Sequence, residues 1–239
     1  MSASPDGTGL SGDPAGQPRT FVLIPGAGGV AWYWHLVVPL LRAAGHQAIA
    51  VDLPGDDPAA GLPEYAELVS GAIGNRGNVV LVAQSLGGFT APLVAAKVPV
   101  AALVFVNAMI PRPGETAGAW WENTRWADAR IAAAEQGGYS TEVDLGVYFL
   151  HDVPPDVAAA GEPYQRPEAE VAFGSVCDFT AWPQVPIRAV AGSDDRFFPV
   201  GFQQALARDR LGINADVLPG GHLMQLSQPA RLASFLLGV

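Results

Sequence analysis

Six short apolar runs, separated by stretches with helical spacing, constrain this chain more than any other feature. Thr20–Ile24, Gln47–Val51, Asn78–Ala83, Ala102–Val106, Ile187–Ala191 and Ala215–Leu218 read as strands, being rich in β-branched and apolar residues. Trp32–Ala44, Leu62–Ile73, Leu86–Lys97, Val200–Leu211 and Pro229–Leu237 read as helices. Strands that are apolar on both faces need cover on both, and parallel neighbours need a crossover between them. The expected fold is therefore α/β, a mostly parallel central sheet with helices on both faces.

The rhythm lapses between about residues 111 and 183. Trp120, Trp121, Trp126, Tyr148, Phe149 and Trp182 are interleaved there with Pro and Gly, and helical periodicity survives only in patches. We expect this segment to be an inserted cap within a single domain spanning residues 20–239, since a chain of 239 residues is short for two full domains. Residues 1–19 are rich in Gly, Pro, Ser and Asp and lack the basic and apolar regions of a signal peptide, so a disordered tail is expected.

Charge narrows the partners. With 13 basic against 23 acidic residues the formal charge is −10, which disfavours nucleic acid and anionic membranes, because both reward basic patches. No apolar stretch approaches the length that spans a bilayer. A small neutral or apolar molecule is the expected partner, and oligomeric state is not legible. Cys177 is the sole cysteine, which rules out an internal disulfide framework and a thiolate zinc cluster and fits a cytoplasmic location.

The stretch "FVLIPGAGGVAWYW", Phe21 to Trp34, supports two chemistries. Gly26 to Ala31 satisfies the dinucleotide pattern G-x-G-x-x-G/A, with Asp52 at a suitable distance to hold a ribose. The same glycines suit a turn that aims backbone N–H groups at an oxyanion. Trp32, Tyr33 and Trp34 count against the first reading, because they crowd a helix start where close packing is needed.

A second stretch, "VVLVAQSLGGFTAPLVA", sets Ser85 between a buried strand and a helix, with Ala83 two before it and Gly87 two after. A nucleophile elbow requires small residues at both places because the turn is so tight. Ala83 departs from the usual glycine by one methyl. The alternative is that Ser85 merely caps the following helix.

A serine needs a base, and the base needs an acid to orient it. Of the 4 histidines, His35 and His46 belong to the first helical region and His151 to the cap. His222 follows "VLPGG" directly after the last strand, where a parallel sheet gathers its site residues. The acid is sought in "GSDDRFFP", after Ile187–Ala191, with Asp195 preferred over Asp194 on its G-x-x-D spacing. An N-cap pair ahead of Val200 is the competing use of both aspartates.

The chain order Ser85, Asp195, His222 is that of the α/β-hydrolases. With "PGAGGVAWYW", "AAGHQAIAVDLPG", "VAQSLGG", "GSDDRFFP" and "LPGGHLMQLSQP" in the same order, the sequence resembles that superfamily over nearly its whole length after Arg19. Its first third is most similar to the branch of plant methyl-ester esterases and hydroxynitrile lyases. The resemblance implies a triad of Ser85, Asp195 and His222 and an oxyanion hole from the N–H groups of Ala27 and Leu86. Pro25 stands where that branch usually has histidine and offers no N–H. Leu223 and Gly26 stand where its lyases have lysine and threonine, and Lys97 is the only lysine, which disfavours a lyase mechanism. Some relatives carry their acid near the position of Asn107, which is no carboxylate.

The expected activity is serine-dependent hydrolysis of a small apolar or aromatic carboxylic ester, lactone or thioester through an acyl-enzyme, with no metal or organic cofactor. Trp32, Trp34, Phe89, Trp120, Trp121 and His151 are candidates to line the pocket, each equally open to a packing role. A non-catalytic small-molecule-binding homologue and an NAD(P)-dependent oxidoreductase are the alternative readings.

Overall fold

The computed structural model describes residues 17–239, so most of the expected tail lies outside the described residues. β1 (Thr20–Ile24), β2 (Gln47–Ala50), β3 (Val79–Ser85), β4 (Ala102–Ala108), β5 (Ile187–Gly192) and β6 (Asp216–Leu218) form one sheet in the order β2-β1-β3-β4-β5-β6. Every pairing is parallel. The chain reverses its direction of travel across the sheet between β1 and β3, and the crevice beyond the carboxyl ends of such strands is where open α/β sheets bind ligands.

Period-two alternation splits the core in two. Val22, Ile24, Leu81, Ala83, Leu103 and Phe105 face one side, with α2 (Leu62–Ile73), α3 (Gly87–Ala95) and α8 (Val200–Leu211) packed over them. Phe21, Leu23, Val80, Val82, Val104 and Val106 face the other, beneath α1 (Val38–Ala43) and α10 (Pro229–Leu237). Burial on both faces explains why the strands carry no polar alternation.

The helix expected over Trp32–Ala44 is in fact two pieces, a 3₁₀ turn at Ala31–Trp34 and α1. Pro39 sits in the first turn of α1, where its missing N–H is harmless, so the proline marks a fresh helix start. At the amino end, Arg19 is already part of the fold: its N–H donates to His46 Nδ1 at 3.0 Å and its carbonyl accepts from Gln47 N at 2.9 Å.

Between β4 and β5 lie α4 (Ala117–Asn123), α5 (Trp126–Gly137), a π-helical turn at Gly146–Leu150, α6 (Pro155–Gly161) and α7 (Glu170–Gly174). The last short helix, α9 (Met224–Ser227), precedes α10. No helix among the described residues is long and apolar enough to cross a membrane.

Candidate active site

Ser85 ends β3 with φ of +50°, the left-handed region that a non-glycine residue adopts at a cost. Its pairing with β4 slips at this point, from Gln84 opposite Val106 to Ser85 opposite Ala108. The tightness shows at Gly87, where a Cβ would lie 2.5 Å from the Pro25 carbonyl oxygen. Ala83 is tolerated because its methyl points into the apolar core. The capping alternative does not hold, since Leu86 occupies the N-cap of α3 and no side chain caps that helix.

Instead, Ser85 Oγ lies 3.1 Å from His222 Nε2, and His222 Nδ1 lies 2.9 Å from Asp195 Oδ2. A carboxylate only accepts, so Nδ1 carries the proton and Nε2 presents its lone pair to the serine hydroxyl. Asp195 has no exposed side-chain surface. Its Oδ1 accepts from the N–H groups of Phe197 (2.9 Å) and Phe198 (2.8 Å), and Gln203 Nε2 donates to Oδ2 at 3.2 Å. Asp194 is spent differently: it is exposed, and its Oδ2 accepts from Ser193 Oγ and from Gly220 N. Neither aspartate caps α8, whose N-cap is Pro199. Phe149, Phe197 and Phe198 surround the imidazole edge-on, with centroids 5.0–5.2 Å away.

Three buried amide side chains support this arrangement, and sequence reasoning missed two of them entirely. Asn107 Nδ2 donates to the carbonyls of Gly221 (2.8 Å) and His222 (3.1 Å), while its Oδ1 accepts from Gly192 N (2.7 Å) and Gln203 Nε2 (3.3 Å). Gln84 Nε2 reaches the His222 carbonyl at 3.3 Å. The position that sequence reading set aside as unable to be the acid thus ties the acid's loop to the histidine's loop. Only the polar identity of Gln84 and Asn107 at the ends of apolar strands signalled them.

The β1 turn lies against Ser85. A Cβ on Gly26 would fall 2.7 Å from Ser85 Cβ and 2.6 Å from Gln84 Oε1, so only glycine fits there. The N–H groups of Ala27 and Leu86 take no acceptor among the described residues. Asp52, which favoured the dinucleotide reading, accepts from Ala31 N at 2.9 Å and lies 3.6 Å from the Arg166 guanidinium. It is therefore engaged within the protein, and the glycines open a short 3₁₀ turn rather than the long helix a pyrophosphate would need.

A cavity of about 450 Å³ opens above Ser85 and His222. Tyr33, Gln165 and Arg166 give it a polar wall, and Leu145, Phe149 and Leu223 an apolar one. Burial raises the Tyr33 phenol above its ordinary value, which keeps it a hydrogen-bond donor. None of the six side chains expected to line the pocket is among its walls. Trp34, Phe89 and Trp120 are fully buried in the core. Trp121 packs on Trp126 and Phe197, and Trp32 stacks between His35 and Tyr164. His151 donates through Nε2 to the Asp194 carbonyl at 2.9 Å, and burial, followed by the nearby Arg196 charge, lowers its pKa. Size and aromaticity suit a side chain to a pocket wall and to packing alike, and Trp34, Phe89 and Trp120 serve the core.

A doubly covered parallel sheet that carries Ser85, Asp195 and His222 in this order at its carboxyl edge defines an α/β protein of the hydrolase class. Residues 21–235 match the model of the Alpha/beta hydrolase family, and the chain belongs to that family. The probable esterase PIR7A of Oryza sativa subsp. indica is 40% identical over 114 residues, a match spanning 42% of this chain and 43% of that protein. Matches to it thus cover less than half its length. Norfluorocurarine synthase 1 of Strychnos sp is 25% identical over 270 residues, covering 95% of this chain and 97% of the relative. Among solved structures, polyneuridine aldehyde esterase superposes with a TM-score of 0.76 at 22% identity, over 93% of this chain and 99% of that one, which shows the shared fold.

Proposed function

We propose that the protein is a serine hydrolase that cleaves a small carboxylic ester through an acyl-enzyme, with Ser85, His222 and Asp195 as its triad. The observation that carries this reading is the unbroken hydrogen-bonded chain from Asp195 through His222 to Ser85, ending at the cavity. His222 Nε2 takes the hydroxyl proton as Ser85 Oγ bonds to the ester carbon, and Asp195 stabilises the imidazolium that results. The N–H groups of Ala27 and Leu86 receive the developing oxyanion. Collapse breaks the bond to the alcohol oxygen, which takes the proton from Nε2. Water then repeats the sequence on the acyl group, with His222 as its base, and releases the acid.

Esterase names among the similar proteins agree with this chemistry. The segment between β4 and β5 acts in this reading as a cap, and its apolar wall of Leu145 and Phe149 favours an apolar or aromatic group on the substrate. The reaction needs only the chain's own groups and water. Turnover of short p-nitrophenyl esters by the wild type and by Ser85→Ala tests it. The variant should lose on the order of 10³-fold or more in kcat. Equal rates would remove Ser85 as nucleophile, and failure of a fluorophosphonate to label Ser85 would favour a binding role.

A further inference from the structure

Gly28 is held at both its N–H and its carbonyl by a short strap of the β4–β5 connection, residues 166–168. Its N–H donates to Glu168 Oε2 at 2.6 Å, and its carbonyl accepts from Arg166 Nε at 2.6 Å. Gly28 itself has φ of +83°, and a Cβ there would meet the Arg166 carbonyl oxygen at 2.4 Å, so strap and turn are in close contact. Both holding groups are anchored elsewhere. Glu168 Oε1 accepts from the Tyr65 hydroxyl on α2 at 2.6 Å, and Arg166 Nη2 donates to the Leu53 carbonyl at 2.5 Å. The Arg166 charge is balanced by Asp52 and Asp56, each 3.6 Å away. Burial pushes the Glu168 carboxyl up, with the hydrogen bonds from Tyr65 and Gly28 and the Arg166 charge opposing that rise.

The Gly28 N–H lies in the Ala27–Gly28 peptide and its carbonyl in the Gly28–Gly29 peptide, so the two ties hold two consecutive planes, and the Gly29 N–H closes the turn around Ala27 by donating to the Gly26 carbonyl at 3.0 Å. The same strap contributes Gln165, Arg166 and Pro167 to the cavity wall, so it touches the space a substrate would fill. A parallel tie exists on the other loop, where Asp152 Oδ2 accepts from Gly221 N at 2.6 Å, one residue before His222.

We propose that Glu168, with Arg166, is a positioning residue of the reaction: the strap clamps Gly28 at its N–H and its carbonyl and so holds the turn that aims the Ala27 N–H at the oxyanion. This rests on the hydrolase reading above. The strap is then a working part of the site, and its position decides whether the oxyanion donor is in place.

The test compares wild type with Glu168→Ala, Glu168→Gln and Tyr65→Phe. It reads kcat and KM on a p-nitrophenyl ester, inhibition by an alkyl boronic acid, Tm, and fluorophosphonate labelling. Wild-type turnover and labelling of Ser85 test the hydrolase reading independently of the strap. Glu168→Ala should lower kcat by about 10- to 100-fold, the range expected for a displaced oxyanion donor, while KM stays near wild type. Its boronate inhibition constant should rise in parallel, because the tetrahedral adduct needs the same donor. Glu168→Gln keeps an acceptor oxygen for Gly28 and should restore most of the rate. Tyr65→Phe removes the anchor of Glu168 while leaving the Gly28 acceptor in place, and should lower kcat in the same direction by a smaller factor. Unchanged kcat in a folded Glu168→Ala, or a kcat loss without weaker boronate binding, would each overturn the proposal. If Glu168→Ala does not fold, a Glu168→Gln variant with wild-type Tm and a collapsed kcat would also overturn it.

Discussion

Asn107→Ala should damage stability and turnover together, because one side chain ties the loops of both Asp195 and His222. Asn107 is fully buried and makes four hydrogen bonds, two as donor and two as acceptor. Truncation does not orphan every partner equally. The His222 carbonyl keeps Gln84, and Gln203 Nε2 keeps the Phe198 carbonyl at 2.7 Å and Asp195. The Gly221 carbonyl and the Gly192 N–H are the buried groups that lose their partner. Each such group costs about 1–3 kcal/mol, so a loss of about 2–6 kcal/mol is expected. Against a total of about 5–15 kcal/mol this is large, yet it leaves most of that range folded. Urea unfolding of both proteins, with unchanged m-value, measures it. In the folded fraction the loops are free to drift apart, and a misplacement near 1 Å costs about 10²-fold in rate. A destabilisation under about 1 kcal/mol, or a kcat equal to wild type, would refute the role assigned to Asn107.

Asp195→Asn removes the acceptor that fixes the His222 tautomer and should cost on the order of 10⁴-fold in kcat, whereas Asp194→Asn should leave p-nitrophenyl ester turnover near wild type. An equal loss in both would mean that the acid has been misassigned between the two aspartates. Stability should fall on acidification through the buried pair of Glu115 and Arg210, whose side chains are 5% and 2% exposed. Burial alone would raise the Glu115 carboxyl, but hydrogen bonds from Arg210, Asn123 and the Arg112 N–H overcome it and lower its pKa below the ordinary 4.5. A folded pKa below the unfolded one gives stability that is fully present above the unfolded value and is lost as pH falls through the folded one. Urea midpoints of wild type should therefore drop below about pH 4.5 more steeply than those of Glu115→Gln, and parallel profiles would show that another group dominates.

The sheet was legible because its signal is local. A run such as Val79–Ser85 buries both faces, and Leu62–Ile73 and Val200–Leu211 carry their own start and stop residues, so covalent neighbours suffice to read them. Trp32–Ala44 divides for an equally local reason, the proline at 39. Ser85 was legible as a candidate through small neighbours in a tight turn, which steric demand imposes within a few positions, and Asp195 and His222 through their loops directly after the last two strands. The cavity wall was not, since nothing in "YQRPEAE" sets Arg166 and Glu168 apart from a solvated charged loop.

That asymmetry has a physical cause that reaches beyond this site. Glu168 acts on Gly28 from 140 positions away, and Asn107 acts on Gly192 from 85 and on His222 from 115. Each grips backbone N–H or carbonyl groups, which every residue type but proline carries alike, so the tie itself leaves no mark of residue type in the sequence. A triad residue is specified by what it must do, which only a few side chains permit. A positioning residue is specified by where a peptide plane must point, which many acceptors satisfy once the fold has brought them near. The chemistry of such a chain is therefore readable in short motifs. The rigidity that makes the chemistry work resides in long-range polar ties that only the assembled structure reveals, and substitutions at Asn107 and Glu168 test that division directly.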